Sequence, residues 1–357
     1  MAKLDVVLFF GGKSAEHEIS LRSAQNVIEA IDKKKYHLNY IAIDKQGKWN
    51  TNSQLKNELP PFPLSLDFFK EPVAVIFNGA NPFMNLQTGE MIPVDVCFPV
   101  LHGPYGEDGT IQGLLRSVQL PFVGADVLGS AVGMDKDVMK RLFRDSGIAI
   151  GKFITAYQDD SPSYDQVVEK LGIPFYIKPA NMGSSVGISK VQKEEDYAQA
   201  LEEAFKYDLK IVIEENIEGM ELECAVLGNR KAKASAVGRI TAYHEFYTYS
   251  SKYLDDKGFK LEIPAAISKE KTEEIRELAV KVFEVLDTFG LGRVDVFLKN
   301  DGEVLVNEIN TIPGFTSISM YPMLWKESGL SYKELIDRLI ELAIERSEDL
   351  SRLSTSI

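Results

Sequence analysis

Apolar residues along this chain fall into short unbroken runs separated by polar loops, with helical spacing between some of them, the pattern of strands covered on both faces. Residues 3–10, Lys-Leu-Asp-Val-Val-Leu-Phe-Phe, form the first run. Acidic Asp5 within it, and the lack of a small-residue cleavage site after it, predict a buried strand and not a leader segment. A Gly11-Gly12 turn and a polar loop lead into a helix beginning near Ser20, with Ala24, Val27, Ile28 and Ile31 on one face. A strand over 37–43 completes a strand–helix–strand unit of the doubly wound kind. The pattern weakens from 44 to 93, where Pro60, Pro61, Pro63 and Pro72 mark loops and turns. It resumes with a strand over 94–101, a helix over 110–118 and a short strand over 121–124.

After a helix over 136–146, short strands are expected at 152–157, 175–178, 186–191 and 211–215, grouped around one helix at 197–205. Beyond Glu215 the chain turns β-rich. It then predicts a long helix over 269–287, a hairpin over 292–310 and an amphipathic helix from Ser331 to about Arg346 with a frayed polar tail. Three α/β layers in series is the simplest arrangement, and 357 residues exceed what one hydrophobic core organises.

Composition narrows the function. Apolar residues at 45 % and charged residues at 26 % are an ordinary globular balance, and no run is long and apolar enough to span a bilayer. The expected location is the cytoplasm. Cys97 and Cys224 lie in apolar segments far apart, without metal-ligand spacing, so inert buried thiols are expected. With 40 Lys and Arg against 53 Asp and Glu, the net charge of −13 lacks the basic footprint of a nucleic-acid binder. A few lysines can still focus positive potential in one cleft, so a nucleotide is compatible with it.

The hairpin carries the strongest chemical signal. Asp-Gly is a preferred pair for a two-residue loop. With Asp301-Gly302 as that loop, Asp295 faces Glu308 and Arg293 faces Asn310, all four on one side of the sheet. Opposed carboxylates repel unless a cation compensates, and carboxylate plus amide oxygens suit magnesium. A solvated sheet face with an Arg–Asn pair explains the same residues about as well.

A second signal follows the strand ending in Ile177-Lys178, where the loop Pro179-Ala180-Asn181-Met182-Gly183-Ser184-Ser185-Val186-Gly187 offers backbone and hydroxyl donors to a phosphate. It is not a Walker loop, and taken alone a flexible turn beside a snorkelling lysine would suffice. A third is Gly11-Gly12-Lys13-Ser14-Ala15-Glu16-His17-Glu18, placed where α/β folds bind ligands. Glu16 there suits a substrate ammonium or, equally, a helix N-terminus. His102, also after a strand, reads on its own as structural.

Taken together, the segments GGKSAEHE (11–18), LHGPYGEDGTIQG (101–113), MDK (134–136), IKPANMGSSVGISK (177–190), FYTYSSKY (246–253), GRVDVF (292–297) and NEINTIPGFTSISMYP (307–322) resemble the D-alanine–D-alanine ligases of the ATP-grasp superfamily along nearly the whole chain. The resemblance implies a three-domain α/β ATP-grasp architecture: an N-terminal doubly wound domain over 1–124, a central subdomain over 125–213 and a C-terminal subdomain over 214–357. It implies ATP as co-substrate and two magnesium ions, for which manganese can stand in, held by Asp295, Glu308 and Asn310. Lys136, Lys178, Ser185 and Lys252 match phosphate-binding positions, and Glu214 and Glu221 those at the adenine and ribose. Glu16 matches the partner of the first D-alanine's ammonium, with His102 nearby. Arg293 and the backbone at Gly314 match the groups stabilising the tetrahedral intermediate, and Ser319 and Met320 the pocket for the second carboxylate.

The segment 242–261 matches a mobile loop that closes over the site, with Tyr253 hydrogen-bonded to Ser184 and Glu16. Its Lys252-Tyr253 pair implies an amine and not a hydroxy acid as acceptor. D-serine remains open, because one hydroxyl is easily accommodated. Met182, Thr248 and the long 44–93 insertion depart from the common pattern. A homodimer through the N-terminal domain is the family expectation. A catalytically silent nucleotide-binding regulator is the alternative of a different class, against which Glu16, Lys178, Arg293, Asp295, Glu308 and Asn310 are all present.

Overall fold

The computed structural model describes residues 2–56, 58–77, 79–242, 259–316 and 318–354. The first strand, β1 (Leu4–Gly11), pairs in parallel with β2 (Tyr36–Ile43) on one side and β6 (Val96–Leu101) on the other. Val6 to Phe10 are fully buried on both faces, which is why the run reads as continuously apolar. The weakly patterned 44–93 region adds three short antiparallel strands, β3 (Trp49–Thr51), β4 (Glu71–Val75) and β5 (Phe83–Asn85). The sheet order is β5-β4-β3-β2-β1-β6, so the parallel part is confined to β2-β1-β6. The expected strand over 121–124 is only an isolated bridge from Phe122 to Cys97. Helix α1 (His17–Ala30) starts three residues earlier than expected, because the Glu16 carbonyl already accepts from Ser20 N–H at 3.1 Å.

A second sheet runs β7 (Phe153–Tyr157), β10 (Lys210–Glu215), β8 (Phe175–Pro179), β9 (Ser189–Val191) in spatial order, all antiparallel. Two helices cover it, α5 (Tyr164–Leu171) and α6 (Glu194–Phe205), where the sequence pattern suggested one. Helix α5 is announced by a capping box of Ser163 and Gln166. The third sheet has the order β13 (Phe259–Glu262), β12 (Lys233–Ala242), β11 (Gly219–Gly228), β14 (Gly290–Lys299), β15 (Val304–Asn310). Helix α7 (Lys269–Val285) and α4 (Lys136–Asp145) share its core.

Along the chain, α2 (Thr110–Ser117) and α3 (Val127–Met134) come between the strands of the first sheet and those of the second. The pattern missed α3 because Gly129 and Gly133 dilute its apolar face; a Cβ there would meet Asp287 O at 2.9 Å and Thr311 Cγ2 at 2.7 Å. The chain ends with α8 (Met320–Glu327) and α9 (Tyr332–Ser351), the latter longer than expected and opened by a Ser331–Glu334 capping box. Leu335, Ile336, Leu339 and Ile340 of α9 share one core with α1 and the first sheet, so the chain's end packs on its beginning. Cys97 and Cys224 are buried and unbridged, and burial pushes both thiols up, Cys224 to about 12.

The hairpin corrects one expectation while keeping its consequence. Lys299 N–H bonds to Glu303 O at 2.9 Å, closing a three-residue loop of Asn300, Asp301 and Gly302 in place of the two-residue one. Gly302 takes the left-handed conformation this needs, with φ +88°. Pairing near the turn is therefore one residue out, Leu298 with Val304 and Val296 with Val306. A bulge at Asn307 restores it, and Asp295 faces Glu308 and Arg293 faces Asn310 after all.

Candidate active site

A cavity of about 470 Å³ opens between the second and third sheets and reaches the strand ends of the first. Alternation along β8 and β10 points Lys178 and Glu214 into it from one side, and alternation along β11, β14 and β15 points Glu221, Arg293, Asp295, Glu308 and Asn310 from the other. Glu16, His102, Lys136, Ser184, Ser185 and Gly314 also line it.

On the first wall, Lys178 Nζ lies 2.7 Å from Glu214 Oε2, and Lys140 Nζ lies 3.3 Å from Glu214 Oε1. Burial raises the Glu214 carboxyl, but the Lys140 and Lys178 ammoniums outweigh it and hold the pKa down at about 2. Burial opposes the Lys178 charge too, yet Glu214 raises its pKa on balance, whereas for Lys140 burial wins and lowers it. Two ammoniums thus share one carboxylate. The excess positive charge suits a polyanion.

Lys136, one turn before Lys140, donates to Met182 O at 2.7 Å and stands 3.6 Å from Glu308 Oε2. It ties helix α4 to the loop after β8, where Ser184 and Ser185 both hold positive φ, 51° and 60°. Such a pair of strained non-glycine residues turns backbone N–H groups toward one concavity. The Ser184 hydroxyl donates to Glu16 Oε1. Glu16 precedes α1, yet makes no side-chain cap there. Its carboxylate passes between Gly103 and Gly183, where a Cβ would lie 2.8 and 2.9 Å from Oε2.

His102 is buried between Ile312 O, 3.1 Å from Nδ1, and Ser23 Oγ, 3.1 Å from Nε2. Burial disfavours its cationic form, but Glu107 and Glu16 more than offset this and raise its pKa. Ser23 Oγ also accepts from Phe315 N–H at 3.3 Å, so His102 and Ser23 brace the loop that carries Gly314. Ser319 stands at the N-cap position of α8 without a side-chain cap bond, its hydroxyl bonding Thr316 Oγ1 at 2.8 Å instead. Neither Ser319 nor Met320 is on the cavity wall, and Met320 is buried in the core against Gly238. Lys252 and Tyr253 lie outside the described residues.

On the second wall, Arg293 donates from Nε and Nη2 to the two oxygens of Asp295 at 2.8 and 2.7 Å, and Asn310 Nδ2 donates to Asp295 Oδ2 at 3.0 Å. Nε also lies 2.9 Å from Glu223 Oε2. Both carboxylates facing across the hairpin are therefore met by positive groups, Arg293 at Asp295 and Lys136 at Glu308. Two carboxylates and an amide oxygen are a donor set that fits a hard divalent cation. Among the described residues no three His, Cys, Asp or Glu side chains form a ready-made cage, so phosphate oxygens or water would complete the shell.

Lys140, Ser23 and Glu223 were not picked out from the sequence. Lys140 had a usable signal, lying four residues after Lys136 on the same helix face, and so did Glu223, two residues after Glu221 on one strand. Ser23 had none, since its partners are distant in sequence.

Residues 5–125 match the family described as D-ala D-ala ligase N-terminus and residues 142–341 that described as D-ala D-ala ligase C-terminus. A D-alanine–D-alanine ligase from Oceanobacillus iheyensis is 49 % identical over 362 residues, covering 99 % of each chain. The structure of the D-alanine–D-alanine ligase from Coxiella burnetii superposes with a TM-score of 0.86 at 37 % identity, covering 98 % of each chain. The VanG D-Ala:D-Ser ligase from Enterococcus faecalis superposes with a TM-score of 0.84, also at 37 % identity, covering 96 % of this chain and all of the other.

Proposed function

The chain belongs to the D-alanine–D-alanine ligase family, and we propose that it joins two D-alanines into D-alanyl-D-alanine for peptidoglycan precursor synthesis, releasing ADP and phosphate. The observation that carries this reading is the convergence in one cavity of a lysine-rich wall, an acid–amide wall and a buried carboxylate from a third layer.

ATP lies between the two sheets, its adenine and ribose at Glu214 and Glu221 and its phosphates at Lys136, Lys178, Ser185 and Lys252. Glu16 holds the ammonium of the first D-alanine. The D-alanine carboxylate attacks the γ-phosphorus, ADP leaves, and a D-alanyl phosphate forms. The neutral amine of the second D-alanine then attacks the acyl carbon. Arg293 and the Gly314 N–H hold the negative oxygen of the tetrahedral intermediate, and phosphate leaves as that intermediate collapses. Asp295, Glu308 and Asn310 hold magnesium, two ions with manganese able to substitute, which neutralises phosphate charge.

The N-terminus of α8, with Ser319 at its N-cap position, suits the second carboxylate through the backbone. Met320 thus acts by its main chain. His102 sets the loop carrying Gly314, and the part given to Tyr253 in keeping water from the acyl phosphate rests on the resemblance alone, since that residue lies outside the described ones.

The proposed domains are 1–124, 125–213 and 214–357, a division supported by one sheet falling in each span, with α4 and α9 packing across the bounds. Two copies pair through the N-terminal domain, a reading supported by exposed Phe77, Leu86 and Met91 on its antiparallel extension. Work in the cytoplasm is part of the proposal; no helix among the described residues is long and apolar enough to cross a membrane. The likeness to a D-Ala:D-Ser ligase favours D-serine as the second reading for the acceptor. Phosphate release with D-alanine alone and with D-serine or D-lactate added, products separated by mass, tests it. D-alanyl-D-alanine is the expected main product, and a preferred mixed dipeptide at equal acceptor concentration would overturn the choice.

A further inference from the structure

Three carboxylates stand in a row across β11, β14 and β15, for Glu223 is the register partner of Asp295, and Asp295 of Glu308. Like charges directly opposite one another destabilise a sheet. Arg293, two residues before Asp295 and on the same face, compensates two of them. Its Nε is 2.8 Å from Asp295 Oδ1 and 2.9 Å from Glu223 Oε2, while Nη2 is 2.7 Å from Asp295 Oδ2.

This sharing has a chemical consequence. Asp295 is in the oxygen set assigned to the divalent cation, and a guanidinium forked onto both of its oxygens holds positive charge where that cation must approach. Arg293 itself is needed at the cavity wall. With Asp295 as its only anchor, one of the two uses would exclude the other. Glu223 is buried, only 7 % exposed, and already within bonding distance of the same guanidinium.

We propose that Glu223 is a positioning residue that competes with Asp295 for Arg293, freeing the Asp295 oxygens for a divalent cation while keeping the guanidinium in the cavity. The role rests on the assignment of Asp295, Glu308 and Asn310 to the cation. Arrival of the cation with ATP exchanges the Arg293–Asp295 fork for a fuller Arg293–Glu223 pair. No bond is made or broken beyond hydrogen bonds and coordination.

The test is a double-mutant cycle on the full chain, reading Mn2+ affinity from the free-ion electron paramagnetic resonance signal with an imido analogue of ATP present. Glu223→Gln, which keeps side-chain volume, is expected to weaken Mn2+ binding by about fivefold or more, as a coupled site should. Arg293→Met, which removes the competitor, is expected to tighten it. In the Arg293→Met background Glu223→Gln should change affinity by less than about twofold, because Glu223 acts through Arg293. Equal weakening in both backgrounds would mean that Glu223 attracts the cation directly, and would overturn the proposal, as would no weakening in either. If Glu223→Gln folds poorly, Arg293→Met alone decides, since a failure to tighten overturns the competition. An unchanged affinity in Asp295→Asn would instead sink the cation assignment beneath it.

Discussion

Replacing Gly183 with alanine adds one methyl where the loop after β8 meets Glu16. A Cβ there would lie 2.9 Å from Glu16 Oε2 and 3.7 Å from its Cδ. Unbonded heavy atoms settle near about 3.5 Å, so the carboxylate must retreat by roughly 0.5 Å. It has little freedom to do so. Ser184 holds the other oxygen, and on the far side a Cβ at Gly103 would already be 2.8 Å from the same Oε2. Gly183 itself is not in the left-handed region, so alanine adds no backbone strain there.

A displacement of about 1 Å at a reacting group can cost about 100-fold, so half of that predicts a loss of about tenfold in kcat/KM for D-alanine. The KM for ATP should stay within about twofold, because Lys136, Lys178 and Glu214 bind on side chains the methyl does not meet. Steady-state ADP release, varying D-alanine at saturating ATP and then the reverse, separates the two. An unchanged kcat/KM for D-alanine, or an equal loss against both substrates, would refute the placement of the substrate ammonium at Glu16.

Other perturbations act on the supporting groups. Lys178→Met removes one of the ammoniums that hold Glu214 down, and the one whose own pKa Glu214 raises in return. A depressed carboxyl stabilises fully above its ordinary 4.5 and loses that contribution as pH falls through the folded value near 2. The variant should therefore be less stable by about 1–3 kcal/mol at pH 7, the gap closing below about pH 4; denaturant unfolding across pH measures it. Ser23→Ala leaves the Phe315 N–H and one His102 nitrogen without their hydroxyl, costing about 1–3 kcal/mol and lowering kcat more than it raises the KM for ATP. Arg346, on α9, is buried and donates to Gly124 O and Phe122 O, so Arg346→Leu should cost about 3 kcal/mol in thermal unfolding, with Arg346→Lys restoring only part.

The hairpin shows both the reach and the limit of the sequence. Its facing pairs came out right for the site, although the turn was mistaken, because the three-residue loop and the bulge at Asn307 shift the register in opposite senses. A bulge has no composition of its own here; Lys140, whose ammonium lies 3.3 Å from Asn307 O, is a partner that only the fold brings near. Helix α3 was missed for a related reason, since its glycines answer to Asp287 and Thr311 far along the chain. The buried strands and α1 were readable because burial on both faces, or on one helical stripe, writes itself into local order. Glu16 could not be read from position alone. What separates it from a plain helix-start carboxylate is Ser184, reached from another sheet.

The most direct measurement follows oxygen atoms. With both carboxylate oxygens of D-alanine labelled with oxygen-18, an acyl phosphate requires that the phosphate released during turnover carry one labelled oxygen and the dipeptide's new amide the other. Mass analysis of both products should find that transfer in step with dipeptide formation. Unlabelled phosphate accompanying dipeptide would contradict carboxylate attack on the γ-phosphorus and the roles assigned to this cavity.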